Sequence, residues 1–396
     1  MRILVLTWEF PPRIVGGIAR HVAELYPEMV KLGHEIHLIT IEFEDTANYE
    51  VIEGIHIYRV PVEEGDSFFH WVTNMNDSMG HQGGELLRNL GVFDLIHAHD
   101  WLVGDAAIAL KHYFKIPLIV TIHATEYGRH NGLHSDTQRY IANKEEKLIY
   151  NAWRVIVCSN YMYRELQHIF HTPADKIDVI FNGIRPEKKK LNSKFDQIDF
   201  RRRFAKDNEK IIYYVGRMSY EKGVSVLLQA ATKVFSELEG DAKLVIIGGG
   251  NTQHLQNQAC QLGIREKCDF TGFMSDEDLD KFQTLADCAV FPSLYEPFGI
   301  VALESFAAKV PVVVSNAGGL PEVVLHGQTG IVTYANNADS LAWGILEVLK
   351  NHDYAQWLVE NAYHDLESRF NWTKLAQQTE MVYNLVAEQC LQTIWV

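Results

Sequence analysis

The chain alternates short apolar runs with amphipathic segments, breaks off, and then does so again. In the first half, Ile3–Thr7, Glu35–Thr40, Ile55–Val60, Leu95–Ala98, Leu118–Ile122 and Val155–Ser159 read as strands. Ile18–Leu32 carries a helical apolar period and is stopped by Gly33. Strands separated by helix-length segments cannot close as hairpins. They run parallel, with helices on both faces. Right-handed crossovers make such a sheet doubly wound. The rhythm fails near Asn182-Gly183, and residues 185–210 hold Lys188-Lys189-Lys190 and Arg201-Arg202-Arg203 with few apolar runs. It restarts at Ile211–Gly216 and continues through Lys243–Gly248, Cys268–Thr271, Ala289–Pro292, Val310–Ser315 and Gly330–Thr333. The expectation is an α/β protein with one domain over 1–183, a linker over 184–210 and a second domain over 211–371.

Composition narrows the class. A length of 396 residues exceeds what one core normally fills. The 47% apolar and 22% charged content is that of a globular protein. A net charge of −15 disfavours nonspecific binding to nucleic acid or to an anionic membrane. The Arg and Lys triplets therefore read as a solvated linker and helix start rather than as a membrane patch. Five scattered cysteines without a Cys-x-x-Cys pair point to a reduced compartment and no structural zinc. The apolar start is too short for a signal peptide, and no run approaches the ~20 residues of a membrane span. A cytoplasmic protein without nucleic-acid partner or membrane span is expected. Oligomeric state is not legible.

Several strand ends carry chemistry. Gly16-Gly17 follows the first strand and precedes a helix, a place where backbone amides can meet a phosphate. Gly216-Arg217 and Lys222-Gly223 follow the first strand of the second half. Two cations five apart on such a loop can grip a diphosphate, or pair with Glu221 at the surface. Glu296 and Glu304 stand eight apart around Pro297 and Gly299. Read as a turn running into a helix, they lie near one face, with the amides of Phe298, Gly299 and Ile300 opening that helix. Such a site can hold a polyhydroxyl ligand, although Glu pairs of this spacing also mark solvated faces. His97-Ala-His99-Asp100-Trp101 has metal-like spacing, but no third ligand of matching character is evident, and no metal is expected. His123 ends another strand. Asp276-Glu-Asp278 reads as a helix start capped by Ser275 or Asp276. Phe68, Phe69, His70, Trp71 and Met75 within the loop 62–84 suit either a lid over an acceptor or ordinary packing.

Together these segments resemble the retaining nucleotide-sugar glycosyltransferases of family 4 and the related glycogen and starch synthases. The segments that carry the resemblance are the Glu296-x7-Glu304 pair, Gly216-Arg217 with Lys222-Gly223, the Gly318-Gly319-Leu-Pro-Glu322 turn, Thr121-x-His123, Gly16-Gly17 and His97-x-His99-Asp100-Trp101. The resemblance implies the GT-B fold, two Rossmann-like domains facing across a cleft, with segment 372–396 returning to the first domain as a helix. It implies catalytic roles for Glu296, His123, Arg217 and Lys222. It places Gly16, Gly17, Arg217, Lys222, Gly249, Met274, Phe298, Gly299, Ile300 and Glu304 on the donor nucleotide, and Glu9, Asp100, Trp101 and Tyr127 on the acceptor side. The relatives' loop is Lys-x-Gly-Gly, whereas here Ile14-Val15 precede Gly16 and Arg13 stands one position earlier.

The implied reaction moves a hexose, glucose as the leading choice, from a UDP- or ADP-sugar substrate to a carbohydrate acceptor. No cofactor is expected. The stretch Trp8-Glu9-Phe10-Pro11-Pro12 and the His-Asp-Trp segment lean towards elongation of an α-1,4-glucan. Ile18 after Gly16-Gly17 counts against a sucrose-phosphate synthase, which carries Gly-Gly-Gln. Trehalose-type and lipid-directed transferases stay open. So do a UDP-sugar 2-epimerase, which needs no acceptor, and a non-catalytic sugar-binding protein.

Overall fold

The computed structural model describes residues 1–189 and 195–393. The Lys188-Lys189-Lys190 triplet falls outside the described side chains. The chain forms two compact units, Met1–Gly183 with Trp372–Val396, and Ile184–Asn371.

The first unit is built on eight strands: β1 Arg2–Leu6, β2 Glu35–Ile41, β3 Tyr49–Ile52, β4 Ile55–Val60, β5 Leu95–His99, β6 Leu118–Ile122, β7 Arg154–Val157 and β8 Ile177–Val179. Their order is β3-β4-β2-β1-β5-β6-β7-β8. All pair in parallel except β3, which lies antiparallel on β4. The β3–β4 connection is Glu53-Gly54, both with positive φ (49° and 86°), a hairpin turn whose twist matches its strands. Strand β3 is an edge strand with partly exposed residues, so it lacks the apolar run that marks its neighbours.

Helix Gly17–Lys31 places Val22, Leu25, Tyr26 and Met29 in the core of this unit. The C-terminal helix Trp372–Gln392 adds Trp372, Leu375, Ala376, Tyr383 and Val386 to the same cluster. The chain's last described helix thus completes its first domain. Full burial of one large apolar side chain is worth ~1.5–3 kcal/mol, against a typical total stability of ~5–15 kcal/mol.

The second unit holds β9 Lys210–Val215, β10 Ala242–Ile247, β11 Cys268–Gly272, β12 Cys288–Phe291, β13 Val312–Ser315 and β14 Ile331–Thr333. They form one parallel sheet in the order β11-β10-β9-β12-β13-β14. Part of the expected linker belongs to this unit. Asp196 caps helix Gln197–Arg202 through the Ile198 and Asp199 amides, both at 3.0 Å. Phe200 and Ala205 are buried, and Phe204 packs on Phe282 at 4.8 Å. The charged triplet masked these anchors in the sequence. Ser275 caps helix Asp276–Gln283, as its position suggested.

In each sheet the strand order reverses once, between β1 and β5 and between β9 and β12. Ligands of open α/β sheets bind beyond the carboxyl ends of the strands at such switch points. No described helix is long and apolar enough to cross a membrane.

A chain ending at Asn371 should lose the cooperative unfolding transition of the first unit and bind a hydrophobic dye. The milder Leu375→Ala should cost about 2–5 kcal/mol in denaturant unfolding.

Candidate functional site

In the second unit the expected residues gather beyond β9 and β12. Gly216 and Arg217 leave β9, and Lys222-Gly223 lead into helix Val224–Glu237. Lys222 Nζ donates to Glu296 Oε2 at 2.7 Å, and Ser293 Oγ donates to the same oxygen at 3.3 Å. Arg217 pairs with Glu221 at 3.2 Å and stays half exposed. Ser219 Oγ steadies Glu221 from 2.6 Å. The surface pairing left open for the two cations therefore holds for Arg217. Lys222 reaches across to the β12 loop instead.

Close backbone approach explains the glycines here. Gly223 has φ +68°, and a Cβ would fall 2.0 Å from the Pro292 carbonyl oxygen. Gly318 has φ +59°, and a Cβ would fall 1.9 Å from the Glu296 carbonyl oxygen. Gly319 N donates to that oxygen at 2.8 Å, so the Gly318-Gly319 turn grips the Glu296 backbone. Gly299 is the N-cap of helix Ile300–Ala307, which has no side-chain cap. The Phe298 ring is buried against Phe370 at 6.0 Å. Glu304 is buried on that helix beside Ser305, whose hydroxyl meets Tyr213 OH at 2.8 Å. A solvated helix face is therefore not what the pair marks. Gly249 is exposed after β10, and its carbonyl accepts from Met218 N at 3.1 Å. Met274 is partly exposed just after the edge strand β11.

In the first unit the expected acceptor residues behave differently. Glu9 is 1% exposed, and its Oε2 accepts from the amides of Val15 (2.6 Å) and Gly16 (2.8 Å). It turns inward and shapes the Gly-Gly loop rather than facing outward, and it already holds the Gly16 amide expected for a diphosphate. Gly17 opens helix Gly17–Lys31. Asp100 is also buried. Its Oδ1 accepts from His123 N at 2.7 Å and so ties the end of β5 to that of β6. Burial pushes its carboxyl up to about 6, against the pull of Arg129 and of the His123 and Ala124 amides. Trp101 and Tyr127 remain partly exposed. The expected 62–84 loop is helix Phe68–Asn89 from its aromatics onward, because Ser67 caps it through His70 N at 3.2 Å. Phe68 is exposed, stacked on Trp71 at 6.1 Å and edge-on to Trp101 at 6.3 Å.

Around His123 lies a buried polar array that the sequence did not reveal. His123 Nε2 meets His99 Nδ1 at 3.1 Å. His99 Nε2 meets Tyr26 OH at 2.6 Å, and His97 Nδ1 meets Tyr383 OH at 2.6 Å and Tyr26 OH at 3.1 Å. His97 Nε2 meets Thr121 Oγ1 at 2.8 Å. His21 adds its edge to His123 at 4.8 Å. Burial, and then the mutual repulsion of neighbouring charged forms, pushes His97 and His99 well below the usual histidine range. Burial likewise holds His21 and His123 down to about 3. The only signal for His21 was a histidine inside an apolar helical stripe, which ordinarily marks a satisfied core residue.

Two outcomes follow from this geometry. Gly318→Ala combines a left-handed backbone with a collision at the Glu296 carbonyl, so it should destabilise the second unit by more than about 1 kcal/mol in denaturant unfolding. For the histidines, the unfolded chain takes up protons below about 6.5 while the folded array stays neutral, so stability falls as pH drops through that region. His97→Gln removes one such proton. Between about pH 6.5 and 5 its stability should fall less steeply than wild type, by up to about 1.4 kcal/mol per pH unit. Asp100 acts in the opposite sense in both proteins, so it cancels from the comparison.

Comparison with known proteins bears on the family and the fold. The family model "Glycosyl transferases group 1" matches residues 196–365, and "Glycosyltransferase Family 4" matches residues 15–188. The chain is 40% identical to an uncharacterised glycosyltransferase of Methanocaldococcus jannaschii, over 98% of this chain and 99% of that one. It is 34% identical to a glycogen synthase of Mycobacterium tuberculosis, over 97% of this chain and 94% of that one. Among solved structures, a sucrose-phosphate synthase of Thermosynechococcus elongatus superposes with a TM-score of 0.83 at 22% identity, covering 97% of this chain and 98% of that one. The catalytic domain of starch synthase IV of Arabidopsis thaliana, bound to ADP and acarbose, superposes with a TM-score of 0.77 at 16% identity, covering 98% and 99%. This chain therefore belongs to the glycosyltransferases of group 1 and family 4, with the GT-B fold.

Proposed function

We propose that the protein is a retaining hexosyltransferase that moves glucose from UDP- or ADP-glucose to the end of an α-1,4-glucan. The observation that carries the donor half is the Lys222–Glu296 contact at the switch point of the second sheet, with Arg217 on the same loop. The identity to a glycogen synthase across nearly the whole of both chains supports the glucan acceptor.

In this reading Glu296 and His123 hold the donor sugar, and buried Glu304 holds the ribose. Phe298, Gly299 and Ile300 offer backbone amides, while Gly249 and Met274 border the nucleotide. Gly17 and the rest of the Gly-Gly loop meet the diphosphate. Trp101 and Tyr127 face the acceptor. The acceptor hydroxyl attacks the anomeric carbon on the face the nucleotide leaves. The bond from that carbon to the diphosphate breaks, and the hydroxyl proton passes to the departing phosphate oxygen. Arg217 and Lys222 carry the charge that grows there. Removing one such charge-stabilising group costs about 10²–10³ in rate.

The test is a panel of UDP-, ADP- and GDP-sugars offered to malto-oligosaccharide, fructose 6-phosphate, glucose and lipid extract, with products read by mass. Extension of malto-oligosaccharide by one hexose is expected, with the anomeric configuration of the donor. Transfer only to a small sugar or a lipid would overturn the acceptor, and an isomerised donor without transfer would overturn the reaction. Lys222→Ala and Glu296→Ala should each lose about 10²–10³ in kcat with unchanged circular dichroism. Wild-type turnover in both would remove these residues from the reaction.

A further inference from the structure

The sequence offered His97 and His99 as metal-like spacing and lacked a third ligand. The fold answers differently. His97 turns to Tyr383 and Thr121, and Asp100 turns to a backbone amide. His99 is joined instead by His21 and His123, which come from a helix 78 positions upstream and from the end of the neighbouring strand. One ring nitrogen from each of these three lies within 4.8 Å of the other two.

We propose that His21, His99 and His123 form a binding site for a transition-metal ion of the zinc class, and that filling it takes His123 away from the donor sugar. The second half rests on the role given to His123 above.

His21 supplies the most direct sign of a missing ligand. Its Nδ1 meets Asn182 Oδ1 at 2.7 Å. Its Nε2 is buried with no hydrogen-bond partner among the described residues, and the residue is only 5% exposed. With Nδ1–H donating to the Asn182 oxygen, Nε2 carries a lone pair. A buried polar atom left unpaired is destabilising, and a ligand would recover that cost. His99 is prepared in the same manner, with its Nε2 held by Tyr26 OH at 2.6 Å and its Nδ1 turned to His123. A partner that fixes the far nitrogen of an imidazole is the usual support of a metal-ligating histidine.

The distances need little adjustment. Zinc binds imidazole nitrogen at about 2.0–2.1 Å, so tetrahedral ligands stand about 3.4 Å apart. His99 Nδ1 and His123 Nε2 are already 3.1 Å apart. The ion would replace the proton they share, and His21 would close in by a shift of the order of 1 Å. Three imidazoles without a carboxylate select zinc, cobalt, nickel or copper and reject magnesium and calcium, which take oxygen ligands. Three protein ligands also leave one position open to water.

The experiment adds Co²⁺ or Zn²⁺ to the full chain stripped of metal. Co²⁺ should give visible ligand-field bands at one equivalent, without the near-ultraviolet thiolate band that its five free cysteines would produce. Zn²⁺ should displace it, and Mg²⁺ should not. His21→Ala and His123→Gln should each weaken binding at least 100-fold. Asn182→Ala, which removes only the support of His21, should weaken it about 10- to 100-fold. Absence of the bands, a thiolate band, or equal binding by wild type and both histidine variants would overturn the site. In the transfer assay Zn²⁺ should inhibit and a chelator should restore activity. Zn²⁺ bound with transfer unaffected would keep the metal site and overturn the role of His123. No transfer in any donor–acceptor pair, with the cobalt spectrum as expected, would count against the proposed reaction alone.

Discussion

A parallel sheet delivers all of its carboxyl ends to one edge, and the site chemistry of this protein depends on that constraint. In the second unit, β9 and β12 are neighbours in the sheet although more than seventy residues separate their starts in the chain. Their loops therefore meet, and Lys222 reaches Glu296 without either residue lying near the other in sequence. The contact is tight because Gly223 and Gly318 let backbone pass where any side chain would collide. In the first unit the same constraint puts the ends of β5 and β6 side by side, and Asp100 bonds across to the amide of His123.

The price of placing polar groups at those ends is desolvation, and the two units meet it differently. The second unit keeps opposite charges paired and partly exposed, as at Arg217 and Glu221. The first unit buries neutral imidazoles and phenols against one another, with each ring nitrogen of His97 and His99 matched to a partner. A neutral array avoids the several kcal/mol that burying an unpaired ion would cost. Among the described residues of this unit, His21 Nε2 and His34 Nδ1 are the imidazole nitrogens that depart from that pattern.

Much of the architecture was legible because parallel strands buried on both faces read as continuous apolar runs. Strands such as Leu118–Ile122 matched residue for residue. Edge strand β3 escaped because half of its surface is solvated, and β8 because Asp178 interrupts its short apolar run. The helix that begins at Phe68 read as a loop because Gly80, Gly83 and Gly84 lie inside it. In the second unit the residues gathered around Lys222 and Glu296 sit on two continuous loops, so linear spacing groups them. In the first unit linear spacing says less. Glu9 and Asp100 are charged and stand at strand ends, yet backbone amides draw both inward. The histidine array was invisible because it joins a helix, two strand ends and a tyrosine 286 positions beyond His97.

That tyrosine belongs to a helix that follows the inserted unit in the chain. During synthesis the first 183 residues leave the ribosome while Trp372 and Tyr383, which seal their core, are not yet translated. The inserted unit, whose residues are contiguous from Ile184 to Asn371, has all its own strands available earlier. Vectorial folding, which usually favours the amino-terminal domain, is thus inverted. Until Trp372–Gln392 is made, the apolar face of helix Gly17–Lys31 that it covers is without its partner.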